Sequence, residues 1–349
     1  MRRRASLVLL ALAVFCAALA PLLRWYAYPR LAKIPPNQYQ EIVLEAKDAT
    51  LIDYNDGMKP KKVDKVTIVQ TLKGNVEASK EIEADAGKDV VVWDTLSYII
   101  GPDGKMVSQI PERYIFDAHT QDPVHATGEM VDGDPVKREG IEFKWPFFTE
   151  PRDYLYFDAQ TRSSSPIHYV GPRTYRGMEV YYFEQTVPWT KVPMPKKMPI
   201  EGIDPATIEQ TTGTSLWYTV KAMFWVDPVT GAPVNAEQQI QQEMRGGIAA
   251  GGPDGKLTAF AGHVKMREDY ADHTFDLVSA NRTKVLALHT YAPAGLAAGG
   301  LLLLGLALWL EARGRRGPRP QDEGQEQDQD QEQAQPEARQ QGQGQGLSA

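Results

Sequence analysis

The sequence APAGLAAGGLLLLGLALWL occupies residues 292–310 and determines how the rest of the chain is arranged. It holds 19 residues without a charge. As a helix it would be about 28 Å long, which is close to the thickness of the hydrocarbon core of a membrane. The stretch lies too late in the chain to be a signal peptide, so we predict a transmembrane helix over residues 292–310.

A second uncharged stretch of 19 residues runs from Ala5 to Leu23, directly after three arginines. It is either a signal peptide cleaved after Ala20 or a first transmembrane helix that stays in the protein. We favour a transmembrane helix over residues 5–23. Pro21 would directly follow the cleavage site, and the apolar stretch is longer than the core of a typical signal peptide.

Small residues recur at a spacing of four in both predicted helices. They are Ala13 and Ala17 in the first helix and Gly295 and Gly299 in the second. This spacing allows two helices to approach closely within a membrane, but small residues are common in transmembrane helices in any case. Close packing of the two helices through these residues is therefore a hypothesis.

Charged and aromatic residues indicate how the chain crosses the membrane. Arginines cluster at both ends of the chain. By the positive-inside rule this places residues 1–4 and 311–349 in the cytoplasm and residues 24–291 outside the cell membrane. Aromatic side chains border both stretches, as is typical of the interface between lipid and water. The candidate interfacial anchors are Trp25, Tyr26, Tyr28, Tyr291 and Trp309.

Apolar and polar residues alternate in short runs between the two helices, which is typical of strands with one buried face. For example, Ile42 and Leu44 alternate with Glu41 and Glu45. Such runs, separated by Gly, Pro, Asn and Asp, predict a mainly β fold with an antiparallel extracytoplasmic domain over residues 24–291. A helical pattern over residues 275–288 leads into the second span. Predicted strands include residues 113–117, 141–148, 154–158, 177–187, 215–226, 234–244 and 260–270.

Two turn motifs are repeated in this domain. The sequence Gly-Pro-Asp-Gly-Lys starts at Gly101 and again at Gly252, and it predicts a hairpin turn in each place. The pattern Asp-x-x-Thr-x-x-Pro-Val starts at Asp117 and at Asp227, and Asp158 begins a partial third copy. Either similar turns arose independently, or the domain consists of two similar β halves produced by a duplication.

The segment VPWTKVPMPKKMPIEGIDP over residues 187–205 is rich in proline and also carries basic residues. Its prolines argue against a central strand. It is either a long surface loop or a mobile flap over a groove. The candidate residues of such a ligand gate are Trp189, Lys191, Lys196 and Lys197.

The chain shows no local motif of catalysis, cofactor binding or metal binding. It contains neither HExxH nor GxSxG, and its single cysteine, Cys16, lies in the first hydrophobic stretch. We therefore assign no catalytic, cofactor-binding or metal-binding residue and expect no enzyme. A catalytic pair of carboxylates stays possible, because such pairs need no local motif. The net charge of −7 argues against nucleic acid as a partner. The Gln-rich and acidic tail over residues 311–349 is predicted to be disordered.

Eight segments of the chain carry a family resemblance: LLRWYAYPRLAKIP, VVVWDT, RYIFDAHT, FKWPF, YLYFDAQT, IHYVG, VYYFEQTVPWTKV and WVDPVTGAPV. Together they resemble an actinobacterial family of membrane proteins of unknown function that is labelled the porin PorA family. The resemblance covers roughly residues 5–310. It implies an envelope protein with two terminal spans and an extracytoplasmic domain. The last segment is also similar to hairpins of lipoprotein-carrier half-barrels, which hold lipid in a curved sheet.

Three functions follow as hypotheses. The leading one is a two-pass cell-membrane protein, in contact with the lipid bilayer, whose outer domain binds an envelope lipid, glycan or protein without catalysis. It is motivated by the many aromatic residues on the predicted strands, because large rings on a sheet can line an apolar cavity. The second is the porin-like channel component that the family label implies. The third is an enzyme that acts on envelope polymers.

Overall fold

A computed structural model describes residues 2–54, 56–198 and 205–315. A helix at each end of this part is long and apolar enough to cross a membrane, over Arg4–Leu31 and Glu268–Arg313. The first consists of α1 (Arg2–Pro21), a π-helical turn (Leu22–Ala27) and α2 (Tyr28–Leu31). The hydroxyl of Ser6 in α1 donates a hydrogen bond to the carbonyl of Ala307 at 3.3 Å, so the two chain ends lie side by side.

The residues between these helices form mainly strands, together with the helices α3 (Val76–Ala86) and α4 (Ile208–Thr212) and short 3₁₀ turns. Every strand pairs antiparallel with its neighbours. The strands are β1 (Tyr39–Asp53), β2 (Lys59–Gly74), β3 (Val90–Ile100), β4 (Met106–Asp117), β5 (Met130–Val131), β6 (Asp134–Pro135), β7 (Tyr154–Asp158), β8 (Ser163–Tyr175), β9 (Met178–Val192), β10 (Ser215–Val226), β11 (Pro233–Arg245) and β12 (Lys256–Met266).

The strand order places the two ends of the domain next to each other. It runs β6-β5-β4-β3-β2-β1-β12-β11-β10-β9-β8-β7 in one sheet of 12 strands. The first and last strands are paired at its centre, with Leu44 opposite Met266. The second terminal helix follows β12 directly and consists of α5 (Glu268–Leu286), a π-helical turn (Ala287–Tyr291) and α6 (Ala292–Arg315). Both terminal helices therefore lead to neighbouring strands.

The sheet curls so that its two ends approach each other. The loop over residues 136–153 joins β6 at one end of the sheet to β7 at the other. Arg138 in this loop donates a hydrogen bond to the carbonyl of Arg113 in β4 at 3.0 Å. Its guanidinium also lies 4.6 Å from the ring centre of Phe157 in β7. The curl gives the sheet a concave face, which carries the largest hydrophobic clusters.

Helices cover part of the opposite, convex face. Ala78 and Ile82 of α3 pack against a small cluster that includes Val90 and Ile115. Val278 of α5 lies in a second cluster with two valines from β9 and β11, Val180 and Val234. Arg282, near the C-terminal end of α5, also donates to the buried carboxylate of Asp227, which attaches this part of the helix to the sheet.

The mainly β fold with helices at both ends is confirmed, and several predicted strands have their expected positions. The predicted strand over residues 141–148 is wrong, because Phe143 and Phe148 adopt left-handed φ angles of 62° and 54° that interrupt an extended chain. The helix predicted over residues 275–288 begins earlier, at Glu268. Helix α3, begun by the Asn75 cap, was not predicted.

Of the two predicted Gly-Pro-Asp-Gly-Lys turns, the first closes a tight hairpin, whereas the second ends a longer connection over residues 246–255 between β11 and β12. Gly101 donates its backbone N–H to the carbonyl of Lys105 at 2.9 Å and closes the hairpin between β3 and β4. In all three Asp-x-x-Thr turns the aspartate accepts the N–H of the threonine, at 3.1 Å for Asp117, 2.8 Å for Asp158 and 2.9 Å for Asp227. The hypothesis of two similar halves, the domain boundaries and the membrane topology stay predictions. Most of the predicted disordered tail, residues 316–349, lies outside the described residues.

Small residues do bring the two terminal helices together, but through a different glycine than expected. A Cβ atom on Gly300 would lie 3.2 Å from the Cβ of Cys16 and 3.4 Å from the carbonyl oxygen of Ala13. A Cβ atom on Gly295 or on Gly299 would meet nothing within 4 Å. The predicted GxxxG pair therefore faces away from α1.

Candidate functional site

The concave face of the sheet encloses a cavity of about 250 Å³. Side chains from β1, β2, β3, β4, β7, β10, β11 and β12 line it, so strands from both halves of the strand order contribute. This arrangement requires the curl of the sheet, because a flat sheet would hold β4 and β10 far apart. The cavity is the site on which the strands of this domain converge.

Strand alternation explains which residues reach the cavity. Ile42 and Leu44 point inward from β1, while the flanking residues Glu41 and Glu45 lie at alternate positions on the other face. On β11 the inward positions are every second residue from Ala236 to Gln242. Period-two alternation thus gives the cavity a largely apolar lining. The apolar lining includes Ile42, Leu44, Ile68, Ile99, Ile110, Phe143, Phe224, Ile240 and Phe260.

Aromatic side chains pack in two groups beside the cavity. Trp93 and Phe116 meet with ring centres 4.8 Å apart in one group. In the other, Trp145 lies 5.1 Å from Phe183 and 5.3 Å from Phe224. Most of these rings are buried and form the core of the sheet, as is usual for aromatic residues on strands. Phe224 also lines the cavity.

A buried charge cluster lies at one side of the cavity. The guanidinium of Arg138, fully buried, donates to Glu142 at 2.7 Å and to Glu112 at 3.0 Å. It also reaches Glu129 at 3.5 Å. Three carboxyl groups therefore surround a single guanidinium. Two of them, Glu112 and Glu142, line the cavity.

Burial shifts the protonation of these carboxyl groups. Loss of hydration raises the pKa of Glu112 to about 7, against the opposing pull of Arg138. Loss of hydration, followed by repulsion from Glu112, raises the pKa of Glu142 well above its usual range. The pKa of Glu129 is also raised by burial. Protons thus offset part of the negative charge that Arg138 alone does not balance.

Asp158 adds a third carboxyl group to the lining of the cavity. Its carboxylate accepts a hydrogen bond from the hydroxyl of Tyr218 at 3.1 Å and one from the N–H of Thr161 at 2.8 Å. Burial raises its pKa. The cavity therefore combines an apolar lining with a group of carboxyl and hydroxyl groups that can accept hydrogen bonds. This combination suits an apolar molecule with a polar head.

The four candidate gate residues occupy two different elements. Trp189 and Lys191 belong to β9, which pairs with β10 at Lys191 and Trp217. The expected loop therefore begins later than residue 187. The last part of β9 pairs with β10 but not with β8, and a strand with one free edge can accommodate prolines. Lys191 forms an ion pair with Glu209. Trp189 packs its ring against Arg245, with the guanidinium 4.6 Å from the ring centre.

The other two gate residues lie in a segment that crosses the cavity, here called the strap (residues 193–198). Lys196 donates its N–H to Asp132 at 2.8 Å and its ammonium to Asp134 at 2.6 Å. The carbonyl of Lys197 accepts from Gln109 of β4 at 3.3 Å. Pro195, which lies between the end of β9 and Lys196, lines the cavity. The strap thus bridges β9 and β4 over the site, and residues 199–204 lie outside the described residues.

The candidate interfacial anchors fall into two groups. Trp25, Tyr26, Tyr291 and Trp309 are exposed on the terminal helices. Tyr28 instead packs against Phe148 of the sheet domain, at 5.9 Å between ring centres, and against His289 at 4.7 Å. Tyr28 therefore joins the loop over residues 136–153 to the two helices, rather than facing outward.

The charge cluster was not found from the sequence. Its members are far apart in the chain, and only Arg138 and Glu142 have a local spacing, of four residues. One signal was present: Glu112 lies between Ile110 and Tyr114 at an inward position of its strand. In the part of the chain that the structure describes, no group of His, Cys, Asp and Glu is arranged to hold a metal ion.

Comparison with known proteins identifies the family. The sequence profile described as Porin PorA matches residues 5–309. The chain belongs to the porin PorA family. A porin PorA of Corynebacterium resistens is 29% identical over 196 residues, which cover 39% of this chain and 47% of the relative. A porin PorA of Corynebacterium amycolatum is 23% identical over 224 residues, which cover 54% of this chain and 58% of the relative.

The alignment spans about half the length of each of these PorA relatives. The resemblance that the sequence segments suggested is thereby confirmed. PorA family membership and the β-rich fold fit a porin-like channel component better than the envelope-binding role that was the leading hypothesis. The family and the two apolar helices also fit a location in a membrane.

Proposed function

We propose that this protein is a component of a porin-like channel in the cell membrane. Its membership in the porin PorA family carries the proposal. In the proposed topology, residues 5–23 and 292–310 span the membrane and residues 24–291 lie outside. Residues 1–4 and 311–349 are cytoplasmic. The adjacency of Ser6 and Ala307 supports an arrangement in which both chain ends are on one side.

A channel of this kind requires more than one copy of the chain. Residues 5–23 and 292–310 carry no charge, and α1 and α6 pack directly against each other. Two apolar helices in contact enclose no aqueous path, and an apolar constriction tends to exclude water. The outer faces of both helices are apolar and exposed, as Leu7 and Leu302 show, with exposed fractions of 65% and 75%. These faces are available for contact with lipid or with further copies.

Recording from planar bilayers tests the channel. Purified full-length protein is expected to produce stepwise conductance. Single cysteines are then introduced into the Cys16→Ser protein at exposed positions of α6, for example Leu301→Cys and Leu302→Cys. At one or more of these positions, a charged thiol reagent should block the current. The Cys16→Ser protein without a new cysteine is the control and should not respond. Absence of conductance from the reconstituted full-length protein contradicts the proposal.

A second function is favoured by the cavity. We propose that the sheet domain also holds an apolar envelope component within the cavity of about 250 Å³. The convergence of strands from both halves of the sheet on this space supports the proposal, since most of the lining is apolar. The strap would then act as the gate through which the ligand passes, because Pro195 contacts the cavity.

Mass spectrometry of an organic extract tests this second function. Protein purified in mild detergent should release a bound amphiphile, and Ile240→Trp should reduce the amount because its side chain fills the cavity. Gln239→Trp is the matched control, since the neighbouring residue on β11 is exposed on the other face. Equal amounts from both variants would show that the extracted molecule does not occupy the cavity.

A further inference from the structure

A groove runs along the line where α1 and α6 meet, apart from the cavity of the sheet domain. Its volume is about 530 Å³. The floor of the groove consists of small buried residues, among them Ala13, Ala20 and Gly300. The rim consists of larger exposed residues such as Leu301, so the groove opens toward the surroundings of the two helices. An apolar groove of this shape can hold one extended hydrocarbon chain.

The length of the groove matches one leaflet of a membrane. The groove extends from Ala13 to Arg24 in the first helix and from Leu304 to Pro293 in the second. At about 1.5 Å per residue each distance is about 16 Å, whereas half of the hydrocarbon core of a membrane is about 15 Å. Because Ala13 lies near the middle of the proposed span over residues 5–23, the groove occupies the outer leaflet in the proposed topology.

An arginine lies at the outer end of the groove. Arg24 lines the groove next to Trp25, whose ring is exposed. The Nη1 atom of Arg24 contacts the carbonyl and the ring of His289. Its Nε and Nη2 atoms have no hydrogen-bond partner among the residues that the structure describes. These two nitrogens form the edge of a guanidinium that can bind two oxygens of one phosphate group.

The terminal helices carry no acidic residue near this arginine. The first acidic residue of the chain is Glu41, and residues 277–310 contain none. Arg24, Arg30 and Lys33 nevertheless follow the first span on its proposed outer side, where the positive-inside rule disfavours basic residues. An anion from outside the chain would balance this excess of positive charge.

We infer that the groove binds one anionic phospholipid of the outer leaflet, with an acyl chain between α1 and α6 and the phosphate on Arg24. Charge favours a lipid over a second copy of the chain, because the spans of another copy contain no acidic partner for Arg24. A choline group would bring a cation close to Arg24, so a zwitterionic lipid binds less tightly. The inference rests on the proposed membrane spans and not on conductance.

Native mass spectrometry of the full-length protein in mild detergent tests the inference. The protein is titrated with dioleoylphosphatidylglycerol or dioleoylphosphatidylcholine, and the dissociation constant of the first bound lipid is measured. The anionic lipid should bind about tenfold more tightly. Arg24→Gln should remove this preference, because the charge-assisted bonds to phosphate are lost. Arg30→Gln is the matched control and should change either affinity by no more than about twofold, because Arg30 stacks on Tyr26 and does not line the groove.

A second pair of variants tests the position of the acyl chain. Ala297→Trp fills the groove and should weaken the binding of both lipids about tenfold. Ala298→Trp is the matched control, because Ala298 is exposed and does not line the groove. Equal affinity for the two lipids in the unmodified protein, or unchanged affinity in Ala297→Trp, overturns the inference.

The same spectra reveal whether a second copy occupies the groove. Lipid-free dimers that Ala297→Trp dissociates and Ala298→Trp preserves would show that a helix of another copy fills it, and they would overturn the inference. None of these measurements depends on current through a bilayer. A failure of the proposed channel in bilayer recordings is therefore distinguishable from a failure of the lipid site.

Discussion

The guanidinium of Arg138 lies 2.7 Å from the carboxyl group of Glu142, and both side chains are buried. This pair connects the loop that closes the curled sheet to the lining of the cavity. Because two further glutamates, Glu112 and Glu129, contact the same guanidinium, the stability of the closed sheet depends on one cation and on the protonation of its neighbours. Five predictions follow from this cluster, from the terminal helices and from the strap.

Replacement of Arg138 by methionine should destabilise the protein strongly. It would leave three buried carboxyl groups without their cation, and loss of one partner of a buried ion pair costs about 3–5 kcal/mol. Thermal unfolding monitored by tryptophan fluorescence measures the effect. Arg152→Met is the control, because Arg152 pairs with Glu150 at the exposed surface and should change stability by no more than about 1 kcal/mol. Similar losses in both variants would contradict the role of the cluster.

The free energy of unfolding should fall as the pH rises from 4.5 to 7. The carboxyl group of Glu112 has an ordinary pKa of 4.5, which the fold raises to about 7. Between these values the folded protein binds more protons than the unfolded chain, so this contribution is present below the lower value and lost above the higher one. The change amounts to roughly 3 kcal/mol.

Glu112→Gln should remove that part of the pH dependence, since an amide does not titrate. The remaining dependence comes from Glu142 and Glu129, whose pKa values are also raised. Glu139→Gln is the surface control and should leave the pH profile unchanged. A profile of Glu112→Gln that matches the unmodified protein would show that folding does not shift the pKa of Glu112.

A cysteine at position 300 should form a disulfide with Cys16. A Cβ atom on Gly300 lies 3.2 Å from the Cβ of Cys16, close to the separation that a disulfide bridges. Oxidation of Gly300→Cys should therefore give an internal cross-link, detected by mass spectrometry of peptides before and after reduction. Gly299→Cys, which faces away from α1, should give none. Efficient cross-linking by Gly299→Cys alone would place the opposite face of α6 against α1.

Both ends of the chain should be protected from protease added to intact cells. The positive charges at the chain ends and the adjacency of Ser6 and Ala307 support the proposed cytoplasmic location of both ends. An epitope tag after Leu310 should survive, while one inserted into the β3–β4 hairpin at Gly104 should be removed. Removal of the tag after Leu310 from sealed cells would show that the topology is the reverse of the proposed one.

The strap should open more readily when Lys196 is replaced by alanine. This change removes the ion pair to Asp134, which keeps its second partner Arg162. Hydrogen exchange of residues 193–198 should accelerate about threefold to tenfold, as expected for the loss of a partly exposed ion pair. Lys197→Ala is the matched control, because Lys197 bonds to β4 through its backbone carbonyl and the residue is exposed. Equal acceleration in both variants would argue against attachment through Lys196.

The sequence predicted those features that depend on neighbouring residues. Alternation identified Ile42 and Leu44 as facing inward, and both line the cavity. The length and apolar character of residues 5–23 and 292–310 predicted helices, and both segments are helical. Each of these predictions rests on a periodicity that a short window of sequence contains.

Features that depend on distant contacts were not predicted. Arg138 meets Glu112 from 26 positions away, and no local pattern marks such a pair. The predicted strand over residues 141–148 failed for a related reason, since its aromatic residues pack against both the sheet and Tyr28 and the chain turns at Phe143 and Phe148 to allow this. Tertiary packing there outweighs the local preference for an extended chain.

The pairing of β1 with β12 has a consequence for biosynthesis. Strand β1 emerges from the ribosome more than 200 residues before its second neighbour, β12. Until translation reaches residue 266, the first half of the sheet presents an unpaired edge, which is the kind of surface on which strands of other chains assemble. Pairing of β1 with β12 joins residues that are far apart in the sequence, and such long-range contacts form slowly during folding. If the domain is exported in the proposed topology, we expect that the edge of β1 must be shielded until the last strand arrives.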